Sequence, residues 1–319
     1  MDILFNKIFF DHKTDGMHPE SCKRLEAFPD LQETEIRSGE SFLGLVHTPD
    51  HIQKVINAGI ISGHLDGDTM TSPGSFKAAV HAVGATIMAA EQNDFALVRP
   101  PGHHAYAHKA SGFCLFNNIA IATQHLVNQK KRVLIVDFDG HLGDGTSHIF
   151  KKSDDVLYWS IHQFPAFPYQ GTVNEIGEGK GKGFTINMPI PAKSGDDIFM
   201  DAFEQFLPIV SQFQPDVVAV SAGFDAHLYD LLLDLRVTVN SFYQIGRLLG
   251  SRFKQLFATL EGGYNVSILP HCVDNFIAGV NGEPMPHSEE KTTSGMRAWE
   301  TYDLNKHILF TNLKDYWKV

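Results

Sequence analysis

Short continuous apolar runs punctuate the chain: Phe95-Ala96-Leu97-Val98, Val133-Leu134-Ile135-Val136, Val156 to Ile161, Val217-Val218-Ala219-Val220 and Leu256 to Leu260. They do not alternate with polar residues, and most are rich in β-branched side chains, as expected of strands covered on both faces of a parallel sheet. Between them the periodicity changes to that of helices. From Ser75 to Glu91, behind Ser72-Pro73-Gly74, the residues Phe76, Ala79, Val80, Val83 and Ile87 fall on one helical face. Similar patterns predict helices from about Asn118 to Gln129, Asp197 to Gln212 and Ser241 to Phe253. Strand and helix in repeated alternation predict an α/β fold with a mostly parallel central sheet flanked by helices. No break in composition divides the chain before Gly282, so residues 1–319 read as a single domain. Residues 282–298, polar and carrying Pro284 and Pro286, read as a surface loop, and the aromatic tail 299–319 as a segment that packs back onto the body.

Composition narrows the function classes. Of 319 residues 43% are hydrophobic, enough to bury a large core. The 37 acidic residues outnumber 26 Lys and Arg, giving a net charge of -11 that repels phosphate backbones and speaks against direct nucleic-acid binding. A cationic substrate or partner suits that balance. Cys22, Cys114 and Cys272 are far apart and form no CxxC pair, so they indicate neither a disulfide scaffold nor a thiolate zinc site and suit a reducing compartment. The start at Met1 does not resemble a leader, and no run approaches 18 apolar residues. The expectation is therefore a cytoplasmic protein with no membrane span. The 17 histidines are the anomaly, and several cluster beside Asp and Gly.

The strongest local motif is Val133 to Thr146, where an apolar strand runs into Asp137-Phe-Asp139-Gly-His141-Leu-Gly143-Asp144-Gly145-Thr146. With a period of two, Asp137, Asp139 and His141 leave the strand on one side. Ionisable groups at that end of a buried strand are costly unless paired or metal-bound, and it is where ligands bind in open α/β sheets. A second strand ends in Ser221-Ala-Gly-Phe-Asp225-Ala-His227. Asp139, His141 and Asp225 would make a three-ligand metal site with an open position for water; the plainer reading is that these Asp residues cap turns. Arg99-Pro100-Pro101-Gly102-His103-His104 follows another strand and offers two imidazoles for acid–base work, with Asp137 and Asp144 as spare carboxylate partners. Glu261-Gly262-Gly263-Tyr264 follows a fourth, and its paired glycines allow Tyr264 to swing in as a hydrogen-bond donor. Together these parts fit metal-assisted hydrolysis of a carbonyl compound.

In order and spacing these motifs, with Gly112-Phe113-Cys114-Leu115-Phe116-Asn117-Asn118, resemble the histone deacetylase family, which includes acetylpolyamine amidohydrolases. The likeness runs from about His18-Pro19-Glu20 to Tyr264, and its wording is closer to the class II and bacterial branch than to class I. It implies an arginase-deacetylase fold with an eight-stranded sheet and zinc on Asp139, His141 and Asp225, ferrous iron being the other ion such a site accepts. It further implies that Asp137 and Asp144 orient His103 and His104, that His104 is general base and acid for a metal-activated water, and that Tyr264 polarises the amide carbonyl. Gly112, Phe113 and Tyr169 correspond to the acyl-lysine tunnel, and Leu232 to its approximate gatekeeper. Ser160 and Ile161, with the backbone of Asp137, Asp139 and His141, match a structural potassium site. The implied substrate is an acylated lysine of a protein or peptide, or a small acylated amine.

Three stretches depart from the family pattern: His141-Leu142 in place of His-His, Tyr169-Gln170-Gly171-Thr172 in place of Tyr-Pro-Gly-Thr, and Asp230-Leu231-Leu232-Leu233 in place of Asp-Pro-Leu-Gly. Three leucines at the rim suit a longer acyl chain or a subunit contact in an oligomer. The leading expectation is a zinc-dependent lysine deacylase, and the alternative within the family is an acetylpolyamine amidohydrolase. An arginase-like ureohydrolase needs Asp-x-His-x-Asp, whereas Gly143 stands at the last position. A catalytically silent acyl-binding module is the remaining reading.

Overall fold

A computed structural model describes residues 1–319. Seven strands form one sheet: β1 (Ile3–Leu4), β2 (Phe95–Ala96), β3 (Val133–Asp137), β4 (Val156–Gln163), β5 (Thr185–Ile190), β6 (Val217–Ala222) and β7 (Leu256–Leu260). Every pairing is parallel, in the order β1-β2-β7-β6-β3-β4-β5. The continuous apolar runs are explained by this arrangement, since β3, β4, β6 and β7 are buried at every position.

Nine α-helices flank the sheet: α1 (Lys23–Glu26), α2 (Pro49–Ile61), α3 (Ser75–Gln92), α4 (Asn118–Asn128), α5 (Asp144–Phe150), α6 (Asp196–Ser211), α7 (Val239–Arg252), α8 (Leu269–Asn281) and α9 (Met296–Leu313). Helix α3 packs on α4 and β7, α6 on β4 and α7, α7 on α8, and α9 along β5. One continuous apolar cluster runs from Leu4 to Leu313, so there is no second core and no second domain.

The sheet has seven strands rather than the eight expected. Beside the β1 edge, the segment around Thr34 makes one backbone bond, Thr34 N–H to Phe5 O at 2.7 Å. The Thr34 carbonyl accepts instead from the Asn6 side chain at 2.9 Å, so no ladder develops. The polar loop ends earlier than expected, because α9 begins at Met296 and not at Trp299. Its Tyr302, Leu309 and Leu313 are buried, so the tail does pack on the body. Asp196 and Asp197 hold the loop from inside, accepting from Thr292 N–H at 2.9 Å and Ser294 N–H at 2.9 Å.

Candidate active site

Because β2, β7, β6 and β3 are adjacent and parallel, their carboxyl ends lie side by side. The segments leaving Ala96, Leu260, Ala222 and Asp137 therefore converge on one crevice, and they carry the four sequence motifs. Buried backbone amides need acceptors, and here the site carboxylates supply them. Asp139 Oδ1 accepts from His141 N–H and its Oδ2 from Gly262 N–H, both at 2.8 Å, while Asp225 Oδ1 accepts from Gly140 N–H at 2.7 Å. Two carboxylates thus tie three strand ends together. Gly223 and Gly262 make room for them, since a Cβ on either would collide with the Asp139 carboxylate.

Asp225 Oδ2, which accepts no backbone amide, and Asp139 Oδ1 both face the His141 ring. Its Nδ1 lies 2.7 Å from Asp225 Oδ2 and 3.4 Å from Asp139 Oδ1. Asp139, His141 and Asp225, all buried, bring one ligand atom each within 4.8 Å of the others. Burial opposes charge on His141, but the Asp225 and Asp139 carboxylates outweigh it and push the imidazole up to about 10. Burial and then the Asp139 charge lift Asp225 to about 7. A divalent ion bound there would compete with protons for the same atoms. Two buried carboxylates and one imidazole form a donor set that fits such an ion.

The tandem histidines sit beside this triad, with ring centroids 4.0 Å apart. His103 Nδ1 faces Asp137 Oδ2 at 3.2 Å, and His104 Nδ1 faces Asp144 Oδ1 at 2.7 Å. Burial, then the charge of His103, lowers His104 to about 4, so its imidazole is neutral near pH 7. For His103 burial is outweighed by Asp139 and Asp137, which raise it well above its ordinary value.

The His-His loop itself is anchored by residues whose importance the motifs alone do not reveal. Buried Glu261 accepts from Gly102 N–H at 2.7 Å and His103 N–H at 3.0 Å through one oxygen. Arg99 pairs with Glu20, and Arg24 donates to the Gly263 carbonyl at 2.6 Å; all three side chains are fully buried. Tyr158 donates to Asp137 Oδ2 at 2.9 Å. Arg99 and Glu20 do lie in stretches singled out in the sequence, but their pairing does not show there, and Arg24 stands in none of the motifs.

Around the crevice, Gly112 adopts φ +54°, and a Cβ there would strike the His104 ring. Phe113, itself at φ +68°, packs edge-on against Tyr264 at 5.7 Å. A bulky residue in the left-handed region is the kind of local strain found at ligand sites. Tyr264 is 8% exposed and is placed by Asp230, whose Oδ2 accepts its N–H at 2.6 Å.

The opposite wall differs from expectation. Tyr169 turns outward at φ +62° and is 72% exposed, while Phe167 from the same loop faces His104 at 5.1 Å. Leu231 and Leu232 are exposed, whereas Leu233 closes over Gly140. Ser160 stands opposite Asp137 in the β3–β4 register, with Ile161 next to it, and Ser160 Oγ is hydrogen-bonded to His162 Nδ1 at 2.9 Å.

The histone deacetylase domain family matches residues 16–280. A probable deacetylase of Archaeoglobus fulgidus is 35% identical over 308 residues, covering 88% of this chain and 86% of its own. A probable deacetylase of Methanothermobacter thermautotrophicus is 41% identical over 250 residues, 75% of this chain and 76% of its own. The crystal structure of the HDA15 HD domain superposes with a TM-score of 0.88 at 32% identity, covering 98% of this chain and 95% of that one. Fold, crevice and similarity agree: the chain belongs to the histone deacetylase family and is a deacetylase, a hydrolase.

Proposed function

We propose that this deacetylase is a zinc-dependent amidohydrolase that removes acetyl or other acyl groups from lysine side chains. The observation that carries the reading is the buried Asp139, His141 and Asp225 triad with the tandem histidines directly beside it. Zinc held by those three residues would lower the pKa of a coordinated water and polarise the amide carbonyl. His104, neutral and with its Nδ1–H held by Asp144, has Nε2 free to take a proton from the attacking water and return it to the leaving amine. His103, paired with Asp137, packs directly against His104. Tyr264, whose phenol burial pushes well above its ordinary range, stays protonated and donates to the carbonyl oxygen as charge builds there. Phe113 and Phe167 clasp the aliphatic stem of the acyl-lysine, and Gly112, without a side chain, packs its backbone against the His104 ring.

Lysine is favoured because exposed Leu232 offers no charge to anchor a distal ammonium. A second reading, an acetylpolyamine substrate, draws on Asp66 and Asp68, which lie on the loop that joins Phe113 through Thr69 Oγ1 at 3.0 Å. Turnover of acetyl-lysine and octanoyl-lysine peptides against acetylputrescine by the zinc-loaded enzyme separates the two. A higher kcat/KM on the peptides is expected; a preference for acetylputrescine would replace lysine by polyamine.

A further inference from the structure

The carboxylates of the crevice are not held alike. Asp137, Asp139 and Asp225 each accept at least one backbone amide. Asp144 accepts two side-chain donors instead: His104 Nδ1 on Oδ1 and the Tyr106 hydroxyl on Oδ2, both at 2.7 Å. Apart from the histidine it serves, Asp144 is anchored through that phenol.

Tyr106 is a rigid anchor. It is 7% exposed, its N–H donates to Lys109 O at 2.9 Å, and its carbonyl accepts from His47 Nδ1 at 3.1 Å. The Lys109 ammonium lies 4.4 Å over the ring, and the His148 ring packs at 5.1 Å. Burial and the Asp144 charge raise the phenol above its ordinary range, so it remains a donor. A carboxylate that already accepts this hydroxyl is a weaker base toward His104. The shared proton then stays on His104 Nδ1, and Nε2 keeps its lone pair toward the substrate. Gln170, standing where the family pattern has Pro, points its Nε2 at the same phenol oxygen from 3.5 Å, a long contact that brings the Phe167 loop to this relay.

We propose that Tyr106 is a positioning residue of the deacetylase: its hydroxyl orients Asp144, and through Asp144 it fixes the ring plane and tautomer of His104. This rests on the reading of His104 as general base.

The test compares the zinc-loaded wild-type enzyme with Tyr106→Phe, Tyr302→Phe and His104→Gln. Tyr302 also donates its hydroxyl to an Asp, Asp201, at 2.6 Å, and serves as a control remote from the crevice. Each protein is assayed for kcat and KM on an acetyl-lysine peptide, and its low-field imidazole N–H protons are recorded by NMR. The resonance missing from His104→Gln identifies the His104 Nδ1–H. Tyr106→Phe is expected to lower kcat about tenfold with KM changed less than about twofold, and to shift or broaden that resonance. Tyr302→Phe should alter neither. Unchanged kcat with an unmoved resonance would overturn the proposal, as would a lower kcat with an unmoved resonance, which marks a merely structural loss. Retained activity in His104→Gln would instead remove the general-base reading, and the resonance would still decide whether Tyr106 holds the pair.

Discussion

Asp139 commits both oxygens to backbone amides, and Gly223 leaves free the space that its carboxylate occupies. The candidate ligand set is therefore made as much by small residues and amide donors as by Asp139, His141 and Asp225 themselves. Gly223→Ala pushes a methyl into Asp139 and should weaken metal affinity about 10–100-fold, the range for a disturbed ligand support. Competition with a chromogenic chelator reads this directly; affinity equal to wild type would mean that Asp139 is not held as described. Much of the site was legible at this scale, because Asp137, Asp139, His141, Asp225, His103, His104 and Tyr264 stand in local motifs that each follow a strand. Phe167 was not. It reaches His104 only because its loop turns at Tyr169, and a backbone turn at a residue other than Gly leaves little trace in sequence. Nor was the pairing of Arg99 with Glu20, 79 residues apart, or the bond from Arg24 to the Gly263 carbonyl, 239 residues apart.

At the scale of elements, helix starts carry the site. Thr48 caps α2 and Asn117 caps α4, and His47 links the two, donating from Nδ1 to Tyr106 O and accepting Asn117 N–H on Nε2 at 2.9 Å. Asn117 in turn donates to Ala105 O at 3.0 Å, next to the tandem histidines. Burial, then His51, lowers His47 to about 3. Its folded value thus lies below the unfolded one of 6.5, and the unfolded chain binds more protons between them. The contribution is complete above that unfolded value and is lost as pH falls toward the folded one. Between about pH 7.5 and about pH 5 it amounts to roughly 2 kcal/mol. Urea unfolding at those two pH values should show wild type losing about that much more than His47→Gln; equal losses would exclude His47 as the source. The apolar runs announced β3, β4, β6 and β7, whereas β5 escapes because Asn187 and Pro189 interrupt it, as an edge strand tolerates. The two residues of β1 are too few to make a pattern.

For the whole molecule, the parallel sheet sets function by gathering four strand ends at one edge, so that motifs more than 150 residues apart in sequence share a crevice. Helix α9 runs along β5, and the loop before it is held by Asp196 and Asp197 and reaches the segment leaving β6 through Glu289, whose Oε2 lies 2.9 Å from His227 Nε2. Sequence alternation was enough for the α/β class and for a single core, while the seven-strand count, with only one backbone bond beside β1 at Thr34, has no local pattern to announce it. In the chemistry proposed above, activity belongs to the metal and the Tyr264 donor together. The most direct measurement is deacetylation of an acetyl-lysine peptide by metal-stripped and zinc-reloaded protein, with Tyr264→Phe alongside. Turnover should vanish on stripping, return with zinc, and fall about 10²–10³-fold in the variant. Full activity in the stripped protein, or a reloaded Tyr264→Phe enzyme as fast as wild type, would contradict the proposed chemistry.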